Sequence, residues 1–219
     1  MVKWQHLHTN EIIQIDLLVN NVKSLAKIQH HNEKWELCVA DWSSTDVDDV
    51  NKTLTSITST AAGEFECKVA TIDNNRGFDR GYSRNVAASL ATHDNLFFID
   101  ADMFMLDRSV INDAYKYMSE NKAYFPICSS YADRKHTRRF ERSSGCGNVA
   151  ITRRLFNTKP GGWLCKDSWG GEDDDMLKFF NEHSIRNYHT SFIHQWHPQD
   201  VSAWGNRIEG YKQWKLLHD

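Results

Sequence analysis

A short apolar run that ends in two acidic residues constrains this sequence more than any other feature. Residues 96–99, Leu-Phe-Phe-Ile, contain no polar position, which is the pattern of a strand covered on both faces. Asp100-Ala101-Asp102 follows at once. Ligands of open α/β sheets bind outside the carboxyl ends of the strands, so the two carboxylates are candidate metal ligands. A turn or a helix cap is the plainer interpretation of Asp102.

Helical and extended patterns alternate before this run. The helical segments have apolar residues three and four positions apart, and the extended segments are short apolar runs that end in turn residues. We predict a weak first strand, then alternating helices and strands, over residues 1–8, 11–29, 35–40, 47–59, 66–72, 83–92 and 96–99, with residues 41–46 as a turn. This alternation is typical of an α/β fold with a mostly parallel, Rossmann-like sheet flanked by helices.

The pattern is less regular after Met103. We predict helices over residues 108–121, 172–183 and 201–217, and extended segments over 123–128, 147–151 and 188–196. The polar stretch 129–144 contains five basic residues and is predicted to be a mobile loop. We expect one domain over residues 1–219, with a nucleotide-side half (1–103) and an acceptor-side half (104–219).

Composition limits the classes of partner and location. The chain has 219 residues and a net charge of −3, which gives no electrostatic basis for general nucleic-acid binding. No apolar stretch is long enough to span a bilayer, and the first residues do not form a secretory signal. The five cysteines include no CxxC pair, so we expect reduced thiols and a cytoplasmic location.

Two further motifs follow predicted strands. Asp41 could bind a base or a ribose, or it could belong to the capping turn of the next helix. Arg76, Arg80 and Arg84 are spaced four residues apart in a glycine-containing loop, where they could bind phosphate oxygens. We predict that the next helix starts near Ser83 and adds an anion-binding terminus. A solvated charged loop is the alternative.

An acidic run and two histidines complete the set. Glu172, Asp173, Asp174 and Asp175 follow Gly170-Gly171, so we place them in the first turn of a helix, whose dipole lowers carboxyl pKa values. Asp173 is the candidate general base, although such runs are more often solvated faces. His194 and His197 are candidate metal ligands, and a core histidine is the commoner alternative.

Taken together, these motifs resemble those of GT-A fold inverting glycosyltransferases. Asp41, Ser44-Thr45-Asp46, the segment from Arg76 to Asn85, and Asp100-Ala101-Asp102 resemble elements of the large family-2 class. Trp169-Gly-Gly-Glu-Asp-Asp-Asp175 and the segment His194–Pro198 resemble the β-1,4-galactosyltransferase and chondroitin-polymerase type. The chain departs from family 2 in having Trp42 after Asp41, and in its thin first strand. The resemblance spans residues 9–198 and implies a smaller β region on the acceptor side.

The resemblance also implies a role for each candidate residue. It implies a hexose or N-acetylhexosamine moved from a UDP-sugar to a glycan or glycolipid hydroxyl, with Asp173 as the base and a β-linked product. The nucleotide-sugar would contact Asp41, Arg76, Arg80, Arg84, Asp100 and Ala101. The acceptor would contact Trp169, Glu172 and Asp174. A manganese ion, or magnesium in its place, would be held by Asp100, Asp102, His194 and His197.

Other functions stay open at this point. An inactive nucleotide-sugar-binding or carbohydrate-binding module would share the fold. A sugar nucleotidyltransferase is disfavoured because no glycine-rich basic phosphate loop follows the first strand. The basic stretch Arg134–Arg142 could contact an anionic glycan or a lipid diphosphate, and the helix predicted over residues 201–217 could rest on a membrane surface.

Overall fold

The computed structural model describes residues 2–5, 12–15, 17–44, 49–73, 78–131, 135–141, 147–166 and 170–196, with residues 2–5 and 12–15 as backbone alone. Helices α1 to α6 span Leu17–Ile28, Val50–Thr58, Arg80–Leu90, Ser109–Ser119, Arg153–Phe156 and Glu172–Phe179. Strands β1 to β10 span Val2–Gln5, Ile12–Ile15, Lys34–Asp41, Glu64–Thr71, Asn95–Phe98, Met103–Met105, Ala123–Tyr131, Arg139–Glu141, Val149–Thr152 and Ser184–His194.

The largest sheet is mixed. Its strand order is β5-β9-β7-β10-β6, and β8 pairs with β7 outside this path. β7 and β10 run parallel, whereas β9 is antiparallel to both β5 and β7 and β6 is antiparallel to β10. β3 and β4 form a separate parallel pair. The chain is therefore α/β, as the sequence predicts, but the prediction of a mostly parallel sheet is wrong.

The departure from a parallel sheet has a topological cause. Parallel neighbours need a crossover connection, usually a helix, and such a helix precedes β4, β5 and β7. β9 instead inserts between β5 and β7 in the opposite direction. The sequence pattern shows that residues 147–151 are extended, but it carries no sign of strand direction.

The N-terminal prediction is partly wrong. Residues 12–15 form β2, which pairs with β1 in an antiparallel hairpin, and α1 begins only at Leu17. Ile12, Ile13 and Ile15 fit a strand and a helical face equally well, and β-branched residues favour the strand.

Helix α3 begins three residues earlier than predicted. Asp79 is its N-cap, and its carboxylate accepts a hydrogen bond from the Tyr82 backbone N–H at 2.8 Å. The anion-binding terminus predicted at Ser83 is therefore wrong. Arg80 and Arg84 both lie in the helix, one turn apart, so their side chains share a face.

Two apolar cores pack on the faces of the largest sheet. One contains Phe125, Trp163 and Met176, and joins the sheet to α3, α5 and α6. The other contains Met103, Val110 and Phe192, and joins it to α1 and α4. These cores hold α3 and α6 on the same side of the sheet, next to the residues that follow β5.

Other segments differ from their predictions by short elements. β6, α5 and β8 were not predicted, and β8 lies within the stretch that the sequence assigns to a mobile loop. The helix predicted to reach residue 183 ends at Phe179 and is followed by a 3₁₀ turn at Asn181–His183. The helix predicted over residues 201–217 lies outside the described residues. Of the helices that the structure does describe, none is both long and apolar enough to cross a bilayer.

Candidate active site

Asp100 is fixed by buried amides on both sides of its backbone. Its N–H donates to Asn148 Oδ1 at 2.8 Å, and its carbonyl oxygen accepts from Asn21 Nδ2 at 2.9 Å. Asn148 and Asn21 are both buried. The carboxylate that follows β5 therefore leaves the sheet edge in a defined direction.

The guanidinium groups of Arg80 and Arg84 lie between Asp100 and the start of α6. Arg84 Nη2 is 2.7 Å from Asp100 Oδ1, and its Nη1 is 3.0 Å from Asp173 Oδ1 and 3.3 Å from Glu172 Oε1. Arg80 contacts Glu172 at 3.2 Å and Asp100 at 3.4 Å. We call these five residues the Arg-carboxylate cluster. One guanidinium, Arg84, thus joins carboxylates from two distant parts of the chain.

Arg84 is held from below by an aromatic ring. Its Cζ lies 4.3 Å from the centroid of the Trp163 ring, and Trp163 is fully buried. Asn85 fixes the backbone of Trp163, since its Nδ2 donates to the Trp163 carbonyl at 2.9 Å and its Oδ1 accepts from the Trp163 N–H at 2.9 Å. A buried cation–π contact of this kind restricts the guanidinium to one orientation.

The cluster separates the pKa values of two aspartates. Burial raises the pKa of Asp173 to about 6, although Arg84 and Arg80 oppose the rise. Burial also acts to raise the pKa of Asp100, but Arg84 and Arg80 outweigh it and hold that pKa below its ordinary value. The lowered pKa that the helix dipole predicts for Asp173 is therefore wrong, because burial is the larger effect. A carboxyl group with a pKa near 6 suits a general base.

Gly147 leaves room for this arrangement. A Cβ atom at this position would lie 2.6 Å from Arg84 Nη2, 2.9 Å from Asp100 Oδ2 and 3.2 Å from Asp173 Oδ1. Any side chain there would displace the cluster.

Asp102 and His194 meet at the edge of the sheet. Asp102 Oδ2 is 3.0 Å from His194 Nε2. The pair is set by strand pairing, because Met103 lies opposite His194 in the β6–β10 register and the Gln195 N–H donates to the Asp102 carbonyl at 2.8 Å. The sequence predicts both residues as metal ligands, and the structure brings them together.

The donor set fits a divalent metal ion in part. A carboxylate oxygen and an imidazole nitrogen are ligands that manganese accepts. Within the described residues, however, no group of three or more His, Cys, Asp or Glu side chains converges to hold a metal ion. The Asp100 carboxylate bonds to Arg84 instead. Two protein ligands would leave the other coordination positions to a substrate.

The remaining predicted site residues are spread more widely. Asp41 ends β3, and its carboxylate accepts from the Ser44 N–H and hydroxyl in a local turn. The interpretation of Asp41 as part of a helix-capping turn is wrong, because Asp49 is the N-cap of α2. Ala101 and Asp174 are exposed. Arg76, Trp169 and His197 lie outside the described residues.

A cleft opens beside the Arg-carboxylate cluster, at the N-terminus of α3. Arg80 and Glu172 line its inner end, and Lys166 donates to the Gly170 carbonyl at 3.2 Å on its wall. The residues that line the cleft are Phe78, Asp79, Arg80, Gly81, Leu164, Lys166, Gly170 and Glu172. The free space in this cleft is about that of one water molecule.

Sequence reasoning missed Gly147, Asn148 and Asn21 as parts of this site. The available signal was the dipeptide Gly147-Asn148 at the start of a predicted strand, since a glycine in a strand indicates a close backbone approach. The contact of Trp163 with Arg84 depends on the fold and has no signal in the sequence.

Comparison with known proteins gives a family. The family model described as Glycosyl transferase family 2 matches residues 9–170, which is well over half of the chain. Among solved structures, a crystal structure of A197 from STIV matches with 14% sequence identity and a TM-score of 0.41, covering 73% of this chain and 83% of that one. No curated protein sequence matches.

Proposed function

This chain belongs to glycosyl transferase family 2, and on that premise we propose that it moves a sugar from a UDP-sugar to a hydroxyl group of a glycan acceptor. The sugar is a hexose or an N-acetylhexosamine. The product is β-linked, because a single displacement inverts the α-linkage of the donor. Glycosyl transfer follows from the family, whereas the donor, the metal and the stereochemistry belong to the proposal.

Asp173 is the proposed general base. It removes the proton from the acceptor hydroxyl as that oxygen attacks the anomeric carbon, and the bond from that carbon to the diphosphate breaks. The pKa of about 6 leaves Asp173 ionised at neutral pH and still basic enough to accept the proton. Arg84, 3.0 Å away, fixes the direction of the carboxylate. Glu172 pairs with Arg80 and Arg84 and supports this arrangement from below.

Asp102 and His194 are the proposed holders of a manganese ion, with magnesium as the substitute. Asp100 is a further proposed ligand of the ion once its carboxylate is no longer bonded to Arg84. His197 is the alternative to His194. When bound, the ion supplies positive charge that stabilises the departing diphosphate. Arg80, on the cleft wall, is positioned to add a second cation near the same group, and Arg76 and Asp41 are assigned to the nucleotide.

The acceptor side of the proposal uses the start of α6. Asp174 is exposed beside Asp173, so an acceptor sugar that reaches the base also reaches the Asp174 carboxylate. Trp169 and Glu172 are also assigned to the acceptor, because they lie close to Asp173 in the sequence.

One observation carries the proposal: Arg84 joins Asp173, the candidate base, to Asp100 of the Asp-Ala-Asp motif, with contacts of 3.0 and 2.7 Å. The two residues are far apart in sequence and have no reason to share one buried cation unless their relative position matters. A screen of UDP-sugars and GDP-sugars, with and without Mn²⁺, tests the donor. We expect release of UDP from one UDP-sugar, and this release should require the metal ion. Release from GDP-sugars alone would contradict the choice of UDP.

A binding module without turnover is the second candidate. The two arginines give it some support, because they neutralise the carboxylates that catalysis would use. It predicts UDP binding with no release of UDP from any sugar nucleotide, so the same screen separates the two functions.

A further inference from the structure

Three aromatic rings that the proposed mechanism does not use form a stack at the end of β7. The Phe104 and Tyr131 rings are 6.3 Å apart and 18° from parallel. The Tyr131 and His136 rings are 4.2 Å apart and 12° from parallel. Phe104 is half-buried and His136 is exposed. The stack therefore begins at the sheet edge with Phe104, and its outer ring, His136, is exposed to solvent.

Arg139 lies beside this stack on β8, whereas Phe140, the next residue, lies opposite Ser130 and on the other face of the sheet. The Arg139 Cζ is 5.1 Å from the Tyr131 ring centroid. Its Nη2 donates to the Tyr131 hydroxyl at 3.2 Å, and its Nη1 donates to the Thr190 carbonyl at 3.3 Å. Phe140 is 52% exposed. An exposed guanidinium that is already oriented loses less conformational freedom when it binds a ligand.

Strand register places the stack near the candidate active site. Tyr131 follows Ser130 on β7, and Ser130 lies opposite His194 on β10. One strand spacing, about 5 Å, therefore separates the backbones of Ser130 and His194. Phe104 follows Asp102 by two residues. A ligand on the aromatic stack can thus extend toward Asp102 and His194.

Charge around this surface is opposite in sign to that of the candidate active site. Residues 135–141 contain Lys135, Arg138 and Arg139 and a single acid, Glu141, in a chain of net charge −3. The run Glu172–Asp175 and the Asp-Ala-Asp motif are acidic. An anionic acceptor would be repelled at those carboxylates unless another part of the protein attracts it. The segment 135–141, in which three basic residues outnumber one acidic residue, supplies that attraction.

We propose that Phe104, Tyr131, His136 and Arg139 form a docking surface, the aromatic-basic surface, for an acidic glycan acceptor. The rings contact the faces of sugar residues, and Arg139 binds a carboxylate or sulfate group of the glycan. The proposal rests on the proposed glycosyl transfer, because it names the acceptor class for that site. Binding to a membrane surface requires positive charge but no fixed arrangement of it. An ordered ring stack beside a fixed guanidinium instead matches a glycan in which sugar faces and acidic groups alternate.

A matched pair of ligands tests the proposal on the full chain. Hexagalacturonic acid and its fully methyl-esterified form have the same sugar backbone, but only the acid is charged. By calorimetric titration we expect the acid to bind at least about tenfold more tightly than the ester. Arg139→Gln should remove most of that difference. His136→Asn removes the exposed ring of the stack and tolerates the φ of 56° at this position, so it should weaken binding of both ligands. Arg186→Ala is the control, because Arg186 is exposed on β10 far from His194, and its removal should change neither affinity.

Three results would overturn the proposal: equal binding of acid and ester, unchanged binding in Arg139→Gln and His136→Asn, or equal losses in Arg186→Ala. Binding to vesicles that contain phosphatidylserine, lost in Arg139→Gln and without any binding of hexagalacturonic acid, would assign the surface to a membrane instead. Release of UDP from UDP-sugars is measured in parallel and should be unchanged in Arg186→Ala. Glycan binding without UDP release in the native chain would contradict the proposed function and leave the docking surface standing.

Discussion

The surroundings of Asp100 and Asp173 give these two carboxyl groups different pKa values. Asp100 and Asp173 share Arg84, yet the pKa of Asp173 is raised and that of Asp100 is lowered. The difference arises because Asp100 bonds to two arginines, while Asp173 has one such bond and lies among other acids. Carboxylates whose pKa values are pushed apart in this way can take different roles in one site.

The pKa of Asp173 predicts the pH dependence of transfer. If Asp173 is the base, kcat/KM should rise about tenfold per pH unit below pH 6 and level off above it, because only the ionised form accepts a proton. A pH–rate profile measures this. The rise should be absent from the residual activity of Asp173→Asn, and a profile that is flat between pH 5 and 7 in the native chain would contradict the role.

The same pKa predicts an effect on stability. A carboxyl group with a raised pKa binds its proton more tightly in the folded state, so its contribution to stability is present at low pH and is lost as pH rises through about 6. Asp173→Asn keeps a neutral side chain at every pH. Its Tm relative to the native protein should therefore increase between pH 5 and pH 8. A difference in Tm that does not change with pH would show that Asp173 ionises as an exposed aspartate does.

The sequence predicted most of the acidic residues in the site but not their partners. Spacing placed Arg80 and Arg84 on the same segment, and phosphate binding was the expected use. The fold turns both toward carboxylates from β5 and α6, and spacing along one segment holds no information about what faces it. The position of Gly147 at a predicted strand indicates a close backbone approach, but the atoms that surround Gly147 could not be predicted, for the same reason.

Helices and strands act here by positioning these residues. The Gly170-Gly171 turn has φ values of +91° and +87° and starts α6, as the sequence predicts, so that Asp173 lies in its first turn. Helix α3 presents Arg80 and Arg84 to it from the other side. Two of the missed strands, β6 and β8, have three residues each, which is too short for a period-two pattern to be visible. The third, β2, was assigned to a helix because its isoleucines also fit a helical face.

Removal of the Arg84 guanidinium, which links α3 to Asp100 and to the start of α6, should lower the free energy of unfolding. Arg84→Ala would leave three carboxylates close together and Asp100 and Glu172 with only Arg80, so we expect a loss of about 3 kcal/mol or more in the free energy of unfolding. Urea denaturation measures it. Arg84→Lys should recover part of the stability. Arg154→Ala is the matched control, because Arg154 makes an exposed hydrogen bond to Asn121; an equal loss there would remove the special role of Arg84.

Gly147→Ala should reduce transfer more than it reduces stability. The added methyl group would push Arg84, Asp100 and Asp173 apart, and misplacement of about 1 Å in a site can cost about 100-fold in rate. Gly161→Ala provides the contrast: Gly161 has a φ of +75° and nothing within 4 Å of an added Cβ, so this variant should lose stability but not kcat. Equal rates for Gly147→Ala and the native protein would show that the cluster is not needed in its observed geometry.

At the scale of the whole molecule, the α/β class follows from the alternation of apolar patterns, but the mixed sheet does not. Strand direction and neighbour order depend on contacts between segments far apart in sequence, as for β9 between β5 and β7. The fold brings Asp102, His194 and the Arg-carboxylate cluster to one region, and the sequence could indicate this only through the rule that ligands bind at strand ends.

The central claim is that metal-dependent donor binding and proton removal are carried by different aspartates. UDP binding and sugar transfer, measured with and without Mn²⁺ in the native chain, Asp102→Ala and Asp173→Asn, test it most directly. We predict that Asp102→Ala loses both Mn²⁺-dependent UDP binding and transfer, whereas Asp173→Asn keeps that binding and loses transfer. Full transfer activity in Asp173→Asn, or unchanged Mn²⁺-dependent UDP binding in Asp102→Ala, would contradict the account.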